Sequence, residues 1–365
     1  MKRLSIGVIL GLACALSLYG QKKSDREKDG LTGPVSTIET GRIDYSLIEG
    51  RTLEGKGARS QVISYNGEGQ RLERNTFDPN GEFLERLVYT YDSGGRNTGY
   101  EEYYKAATKP RRHVFLLDDK GNQTEYKVYE AGGTLASRFL YKYDDKQNKT
   151  EEIFYSWNGA RTGKLVYEYD DRGNQLTQTS YNQDDSISWK NFTSYDGAGR
   201  RLQWTQLQNE ILRYRIFSKY DDRGRIIEQQ TFEFNAPPNI HISHAPVPGK
   251  VVYTYDDDKR TKEVSSYSES GLLKDRIVYS YDDKNNEVGR AAYASDGVMN
   301  ETVIQLWDNV FDPQSRFRGI LKGKQLSSFE YDAHGNWTRK TYLIQPANSD
   351  KPRVYRAEYR TITYF

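Results

Sequence analysis

The sequence contains few of the residues on which disulfide-stabilised domains and thiol or metal sites depend. Among its 365 residues are one cysteine, Cys14, two methionines and four histidines. A chain with one cysteine forms no internal disulfide and offers no cluster of thiols to a metal. Hydrophobic residues account for only 36% of the chain, which is too few for a thick aliphatic core.

The sequence is, by contrast, rich in tyrosine and glycine, with 30 tyrosines and 31 glycines. Polar chains that remain disordered are poor in aromatic residues, so the tyrosine content argues for a folded protein. Aromatic side chains suit the half-buried surface of a β-sheet. The composition therefore predicts a thin β-structure whose apolar surface comes mainly from rings.

The first twenty residues have the pattern of an export signal. Lys2 and Arg3 precede a short apolar run, Leu4–Leu18, which is too short for a membrane span. A small residue, Gly20, ends the segment, and cleavage is expected after it. We therefore predict a signal peptide over residues 1–20 and a mature protein in the periplasm, on the outer cell surface or secreted.

Lipid attachment through Cys14 is the disfavoured alternative, because Gly11 occupies the position where a bulky aliphatic residue is usual. Cleavage after residue 20 would leave 51 basic and 51 acidic residues and no cysteine. A chain without net charge lacks the basic surface that nucleic acid requires. We expect no nucleic-acid partner and no membrane span in the mature chain.

A Tyr-Asp pair, or a close variant of it, recurs along the chain with a period of 26 residues. The first six positions, in equal steps, are Tyr65, Tyr91, Leu117, Tyr143, Tyr169 and Tyr195. The series continues at Tyr220, Tyr255, Tyr281, Trp307 and Tyr331. A fixed period of this length is the signature of a tandem repeat protein.

Each repeat combines a strand pattern with a turn pattern. Asp170 and Gly173 have the spacing of a type I turn followed by a left-handed residue. Before that turn Leu165, Tyr167 and Tyr169 alternate with polar residues, as in a strand. The residues predicted to maintain the repeat are Tyr91, Asp92, Tyr143, Asp144, Tyr169, Asp170, Gly173, Tyr220, Asp221, Gly224, Tyr281, Asp282, Tyr331, Asp332 and Gly335.

A second aromatic residue, such as Tyr155, follows each tyrosine of the pair by about twelve positions, and a second turn follows it. Each repeat is thus a hairpin that is marginal alone and needs its neighbours. We predict an all-β protein of tandem antiparallel hairpins in one long curved or spiralling sheet over residues 31–365. A flexible leader (21–30), an edge strand (35–48), a Pro-rich loop insertion (236–249) and a closing strand (353–365) complete the prediction.

The turns YDDRGNQ (169–175), YDDRGRI (220–226) and YDAHGNW (331–337) resemble the YD repeats of the bacterial RHS family. The resemblance implies a spiralling β-sheet outside the cytoplasm, often described as carbohydrate-binding. In large relatives such sheets enclose a toxin. This chain lacks the core segment with paired aspartates and a toxin after the last repeat, and its length is too short for a closed shell. Encapsulation is therefore not implied.

The predicted function is non-enzymatic binding or scaffolding outside the cytoplasm, with a glycan or a cell-surface protein as partner. Flat rings bind the apolar faces of sugars, so the candidate ligand-stacking residues are Trp157, Trp189, Trp204 and Trp337. The alternative for each ring is the core of a thin sheet. The alternative function is a partner-binding envelope protein related to toxin shells.

Catalytic and metal sites are disfavoured. His241 and His244 lie on the Pro-rich segment without a third ligand nearby. The acidic pair Asp170–Asp171 has calcium-compatible chemistry, but its first member is already used by the predicted turn. No nucleophile motif is present, and we expect no catalytic residue, cofactor or metal.

An outer-membrane barrel is a further disfavoured alternative. The aromatic C-terminus, Phe365, and the alternating strands are compatible with one. Such barrels need an apolar band that faces lipid, whereas the outward positions of these strands include Lys142, Glu168 and Lys219.

Overall fold

The computed structural model describes residues 23–48, 51–234, 249–268, 270–300, 302–307, 317–346 and 349–365. The predicted signal peptide, with Cys14, lies outside the described residues. So does the predicted Pro-rich insertion, with His241 and His244, apart from Gly249.

The described chain is almost entirely strand. One short helix, α1, spans Asp25–Lys28. The strands of the first half are β1 (Val35–Ile48), β2 (Arg51–Glu54), β3 (Ala58–Tyr65), β4 (Arg71–Phe77), β5 (Phe83–Tyr91), β6 (Asn97–Tyr104), β7 (Arg111–Leu117), β8 (Gln123–Tyr129), β9 (Leu135–Tyr143), β10 (Lys149–Ser156), β11 (Arg161–Tyr169) and β12 (Gln175–Tyr181).

The strands of the second half are β13 (Ile187–Tyr195), β14 (Arg201–Gln208), β15 (Ile211–Tyr220), β16 (Ile226–Glu233), β17 (Lys250–Asp256), β18 (Thr261–Tyr267), β19 (Leu273–Tyr281), β20 (Glu287–Ala294), β21 (Met299–Asn300), β22 (Thr302–Trp307), β23 (Phe317–Tyr331), β24 (Trp337–Gln345) and β25 (Arg353–Tyr364). The Asp-x-x-Gly segments that follow the Tyr-Asp pairs, such as Asp170–Gly173, form reversals as predicted, and the strands confirm the all-β repeat fold.

The sheet closes into a barrel. Each strand from β3 to β20 pairs antiparallel with the next, and β20, β23, β24 and β25 continue the series. Strand β1 then pairs with β25 on one side and with β3 on the other, which closes a ring of 22 strands within the described residues. Strands β2, β21 and β22 pair with members of this ring.

Closure corrects one expectation. Residues 35–48 do form a strand, but β1 is hydrogen-bonded on both sides and is not an edge. The physical reason is that joining the two terminal strands removes two exposed edges at once. The predicted closing strand is confirmed as β25. The expectation that the chain is too short for a shell around a toxin is a separate point and stays a prediction.

The barrel has two distinct ends. Because antiparallel strands alternate in direction, the turns that begin with the Asp of a Tyr-Asp pair all lie at one end, which we call the YD end. Strand β1 begins at this end and β25 finishes there, with Val35 opposite Tyr364. A buried cluster lies beside this junction and consists of Leu31, Val35, Ile38, Ile63 and Tyr65.

The structure differs from the predicted flexible leader for residues 23–30. Ser24 and Glu27 form a capping box that starts α1. Asp29 then accepts hydrogen bonds from Arg71 (2.6 Å) and from the Tyr65 hydroxyl (2.6 Å). The segment therefore packs on the YD end, and its polar composition reflects ion pairs with the barrel.

Candidate functional site

The tyrosines of the Tyr-Asp pairs connect successive hairpins. The Tyr169 hydroxyl donates to the backbone carbonyl of Lys149 (2.8 Å), twenty residues earlier. Tyr143 makes the equivalent hydrogen bond to Gln123 (2.8 Å). Each of these two tyrosines thus binds the first residue after the preceding Tyr-Asp turn, in addition to the pairing of the strands.

The aspartates of the pairs organise the turns. Asp170 Oδ1 accepts the backbone N–H groups of Arg172 (2.9 Å) and Asn174 (2.8 Å), and Gly173 adopts a φ of 82°. The Asn174 amide also donates to Asp170 Oδ2 (2.8 Å), and this bond is the main cause of the lowered pKa of Asp170. The carboxylate is therefore engaged within its own turn.

The face of the sheet that carries these tyrosines, here called the tyrosine face, is the inner wall of the barrel. Tyr167 on this face is 9% exposed, whereas Phe192 on the opposite face is 38% exposed. Burial is also the main cause that raises the pKa of Tyr141 and of Tyr167, each to about 12. A flat sheet shields its two faces equally, whereas a closed one shields its concave face more. The tyrosine face therefore lies inside.

The opposite face, the outer wall, carries ion pairs. Examples are Arg86 with Glu73 (2.8 Å) and Lys142 with Glu151 (2.7 Å). No helix among the described residues is long and apolar enough to cross a membrane.

Part of the inner wall is filled by packed rings. His113 stacks on Tyr100 at a centroid distance of 4.1 Å, and Tyr126 stacks on Phe139 at 5.1 Å. Phe139 in turn packs edge-on against Phe154. His113 is 8% exposed, and its ring nitrogens contact the Tyr126 hydroxyl (2.7 Å) and Glu102 (3.2 Å). These rings are part of the core of the sheet, which is the alternative to a ligand-stacking role.

The four candidate tryptophans do not form a single row. Trp157 is 70% exposed on a turn at the end opposite the YD end. Trp337 lies at the YD end with the Arg360 guanidinium 3.7 Å above its ring. Trp189 and Trp204 are half-buried on the adjacent strands β13 and β14. The structure thus places one pair on neighbouring strands of the inner wall, four residues apart in register.

Between Trp189 and Trp204 lies a group that the sequence prediction missed. Gln178, Asn191 and Gln206 are cross-strand partners on β12, β13 and β14, and we call them the amide row. The Gln206 amide donates to Asn191 (3.2 Å), and the Asn191 amide donates to Gln178 (3.4 Å). All three side chains are half-buried. Gln178 pairs with Tyr167, which places the row on the tyrosine face.

The candidate site therefore consists of the amide row with one tryptophan on either side of it. Side-chain amides offer both donors and acceptors, and indole rings offer flat apolar faces. Within the described ranges no three His, Cys, Asp or Glu residues are grouped as metal ligands would be. These groups can hydrogen-bond to a polar ligand and stack on a flat apolar face of it.

No protein-family model and no curated protein sequence matches the chain, so the resemblance to RHS repeats stays a prediction. Similar solved structures include a porin-like protein from Bacteroides uniformis, with 12% identity, a TM-score of 0.28 and coverage of 91% of this chain and 99% of that chain.

Two further similar structures contain toxin components. The Photorhabdus luminescens Tc holotoxin pore has 10% identity and a TM-score of 0.29, with 85% of this chain and 21% of that chain covered. The TcdB2-TccC3-TEV structure has 11% identity and a TM-score of 0.17, with 84% and 22% covered. The chain thus spans about a fifth of these toxin chains.

Proposed function

We propose that the protein is a non-enzymatic, extracytoplasmic binding protein that holds a carbohydrate against the inner wall of its barrel. The observation that carries the proposal is the amide row between Trp189 and Trp204. The predicted signal peptide over residues 1–20 supports export to the periplasm, the cell surface or the medium.

The chemistry of the site supports a sugar as ligand. A sugar presents hydroxyls around its edge and C–H groups on its faces, so it needs amides beside it and rings above or below it. Pockets that fix small ligands combine apolar rings with a few polar groups in this manner. The half-buried state of the amides and of both tryptophans leaves part of each side chain open to a ligand.

Binding of the purified protein to a glycan array and to insoluble polysaccharides tests the proposal. Replacement of Trp189 and Trp204 together by alanine should abolish binding. Trp157→Ala is the matched control, because that ring is 70% exposed on a turn outside the amide row and should be dispensable. Circular dichroism would establish that all variants remain folded. Full binding by the double variant, or no glycan bound by the wild type, would contradict the proposal.

A partner protein in the cell envelope is the second candidate function. Phe192 and Phe217, on β13 and β15, are 38% and 37% exposed on the outer wall. The equivalent positions in other hairpins hold smaller residues such as Val88, which lies between the carboxylates Glu73 and Glu101. Exposed rings of this kind favour contact with another protein. Co-purification of one defined protein, lost in Phe192→Ser/Phe217→Ser, without any glycan signal would support this candidate.

A further inference from the structure

We infer that the site takes an uncharged, linear oligosaccharide that lies along strands β13 and β14, an inference that rests on the proposed function. The amide row departs from the protein's own repeat. The residues that precede Asn191 by successive periods of 26 are Leu165, Phe139, His113 and Leu87. Four preceding hairpins thus place a ring or an aliphatic chain where this hairpin places an amide.

An amide that stands in place of a packed apolar residue is unfavourable to bury unless its hydrogen bonds are made. We therefore expect the amides of the row to have a role other than packing. The bonds within the row are long, at 3.2 and 3.4 Å, and therefore weak. Gln206 Oε1 has no hydrogen-bond donor among the residues that the structure describes. Each amide has more donor and acceptor positions than the row itself uses. The Gln178 amide also contacts the Tyr167 hydroxyl. A ligand with hydroxyl groups would occupy the positions that remain.

The residues around the row favour a ligand without negative charge. Tyr167 and Tyr214 extend the row on β11 and β15, and neither is charged. Beyond them, the Tyr167 hydroxyl contacts Glu152 (3.4 Å) and the Tyr214 hydroxyl contacts Glu233 (3.2 Å). Glu152 is paired with Lys149 (2.7 Å), whereas Glu233 has no ion pair among the described residues. Glu233 would therefore repel a uronic acid or a sulfated sugar at the β15 end of the row, whereas a neutral sugar would not be repelled.

The positions of the two rings set the direction and length of the ligand. Trp189 lies opposite Gln208, whereas Trp204 lies opposite Thr193. The backbone positions of the two tryptophans are therefore four residues apart along the strands, which corresponds to about 13 Å. A ligand that contacts both side chains would then be longer than one sugar unit and would run along the strands.

The inference can be tested by calorimetric titration of the purified protein with neutral glucan oligosaccharides from glucose to the hexasaccharide. Oligogalacturonates of the same lengths serve as the charged series. We expect affinity to rise with length until both rings are contacted and then to level off, and we expect the charged series to bind more weakly. Tryptophan fluorescence should change only with those oligosaccharides that bind.

Substitution of the row provides the second arm. Asn191→Leu restores the residue type of the preceding hairpins, so it should fold at least as well and should lower affinity for the longest neutral oligosaccharide by about tenfold, the loss expected for one or two hydrogen bonds. Gln229→Ala, an inner-wall amide on β16 outside the row, is the matched control and should leave affinity unchanged.

The outcomes separate the two proposals. Binding that depends on Trp189 and Trp204 but not on oligosaccharide length or charge would overturn this inference and leave the proposed function intact. Unchanged affinity in Asn191→Leu would overturn it as well. The absence of any glycan binding by the wild type would overturn both.

Discussion

The hydroxyl of Tyr169 donates a hydrogen bond of 2.8 Å to the backbone carbonyl of Lys149, which belongs to the preceding repeat. Tyr195 makes the same contact with Gln175 at 2.9 Å. The period of 26 residues therefore has a local cause. The tyrosine that ends one hairpin must reach a strand of the preceding repeat, at the first residue after that repeat's Tyr-Asp turn. The Asp forms the turn, and the Tyr connects it to the preceding one.

Loss of one such hydroxyl should weaken the barrel measurably. We expect Tyr169→Phe to lower the free energy of unfolding by about 1 kcal/mol, the usual net value of one hydrogen bond. Urea denaturation followed by circular dichroism would measure it. Tyr155→Phe is the control, because this outer-wall tyrosine has no hydroxyl partner among the described residues. Equal effects of the two substitutions would show that the hydroxyl of Tyr169 has no special role.

The first repeat has no preceding repeat, and the N-terminal segment takes its place. The Tyr65 hydroxyl donates to Asp29 (2.6 Å), and the Tyr91 hydroxyl donates to Asp25 (2.8 Å) as well as to the Arg71 carbonyl (2.8 Å). Residues 23–30 thus supply carboxylates where later repeats supply a backbone carbonyl. Terminal repeats commonly need such a cap. Here the cap also lies beside the pairing of β1 with β25, which closes the barrel.

Asp29→Ala should therefore loosen the closure. It removes the acceptor of two Arg71 hydrogen bonds (2.6 and 2.7 Å) and of the Tyr65 hydroxyl, and we expect a loss of about 2 kcal/mol. Hydrogen exchange measured by mass spectrometry should increase first in β1 and β25. Lys28→Ala removes an exposed ion pair to Asp25 in the same segment and should have little effect. Uniform exchange changes over all strands would argue against a closure role.

The sequence predicts those parts of this fold that depend on local signals. The alternation that ends at Tyr169 and the spacing of Asp170 to Gly173 are each contained within ten residues, so strands and turns could be located. Closure was not predicted, because the pairing of Val35 with Tyr364 joins the two ends of the chain and has no local signature.

The candidate site illustrates the same limit. Trp189 and Trp204 could be proposed from residue type alone, whereas the adjacency of Asn191 and Gln206 depends on the register of β13 with β14. That register joins two strands across a turn and includes a bulge at Tyr195, as the other repeats have at tyrosines such as Tyr169. Comparison of Asn191 with the apolar residues one or more periods earlier is the one sequence signal that could have identified the row.

Acidification should destabilise the barrel through its turns. The pKa of Asp170 is lowered mainly by the Asn174 side chain, and that of Asp185 is lowered to about 2 by Arg161 and then Lys164. A carboxylate whose pKa is lower in the folded state stabilises that state above its unfolded pKa, and the contribution is lost as the pH falls through the folded value. We therefore expect constant stability from neutral pH to about pH 5 and a decline below about pH 4.

Urea midpoints measured across this pH range would test whether stability declines as the pH falls. Asp170→Asn keeps a side-chain oxygen in the turn but removes its titration, so the acid-induced decline should become smaller. Asp171→Asn, next to it and outside the turn's hydrogen bonds, should leave the decline unchanged. A barrel that became more stable on acidification would contradict the expectation.

Gly99 is the position at which the barrel should tolerate a side chain least. It lies in β6 opposite Val114 of β7, with a φ of 148°, and a Cβ atom there would collide with the backbone carbonyl oxygen of His113. Neither backbone can retreat, because both strands are paired on their other sides within the closed ring. We expect Gly99→Ala to cost about 3 kcal/mol or more in unfolding free energy, or to prevent folding. Gly197→Ala is the matched control, since that turn glycine has open space around it and its substitution should be nearly neutral in the same denaturation experiment. A Gly99→Ala variant as stable as the control would mean that β6 and β7 do not approach as closely as described.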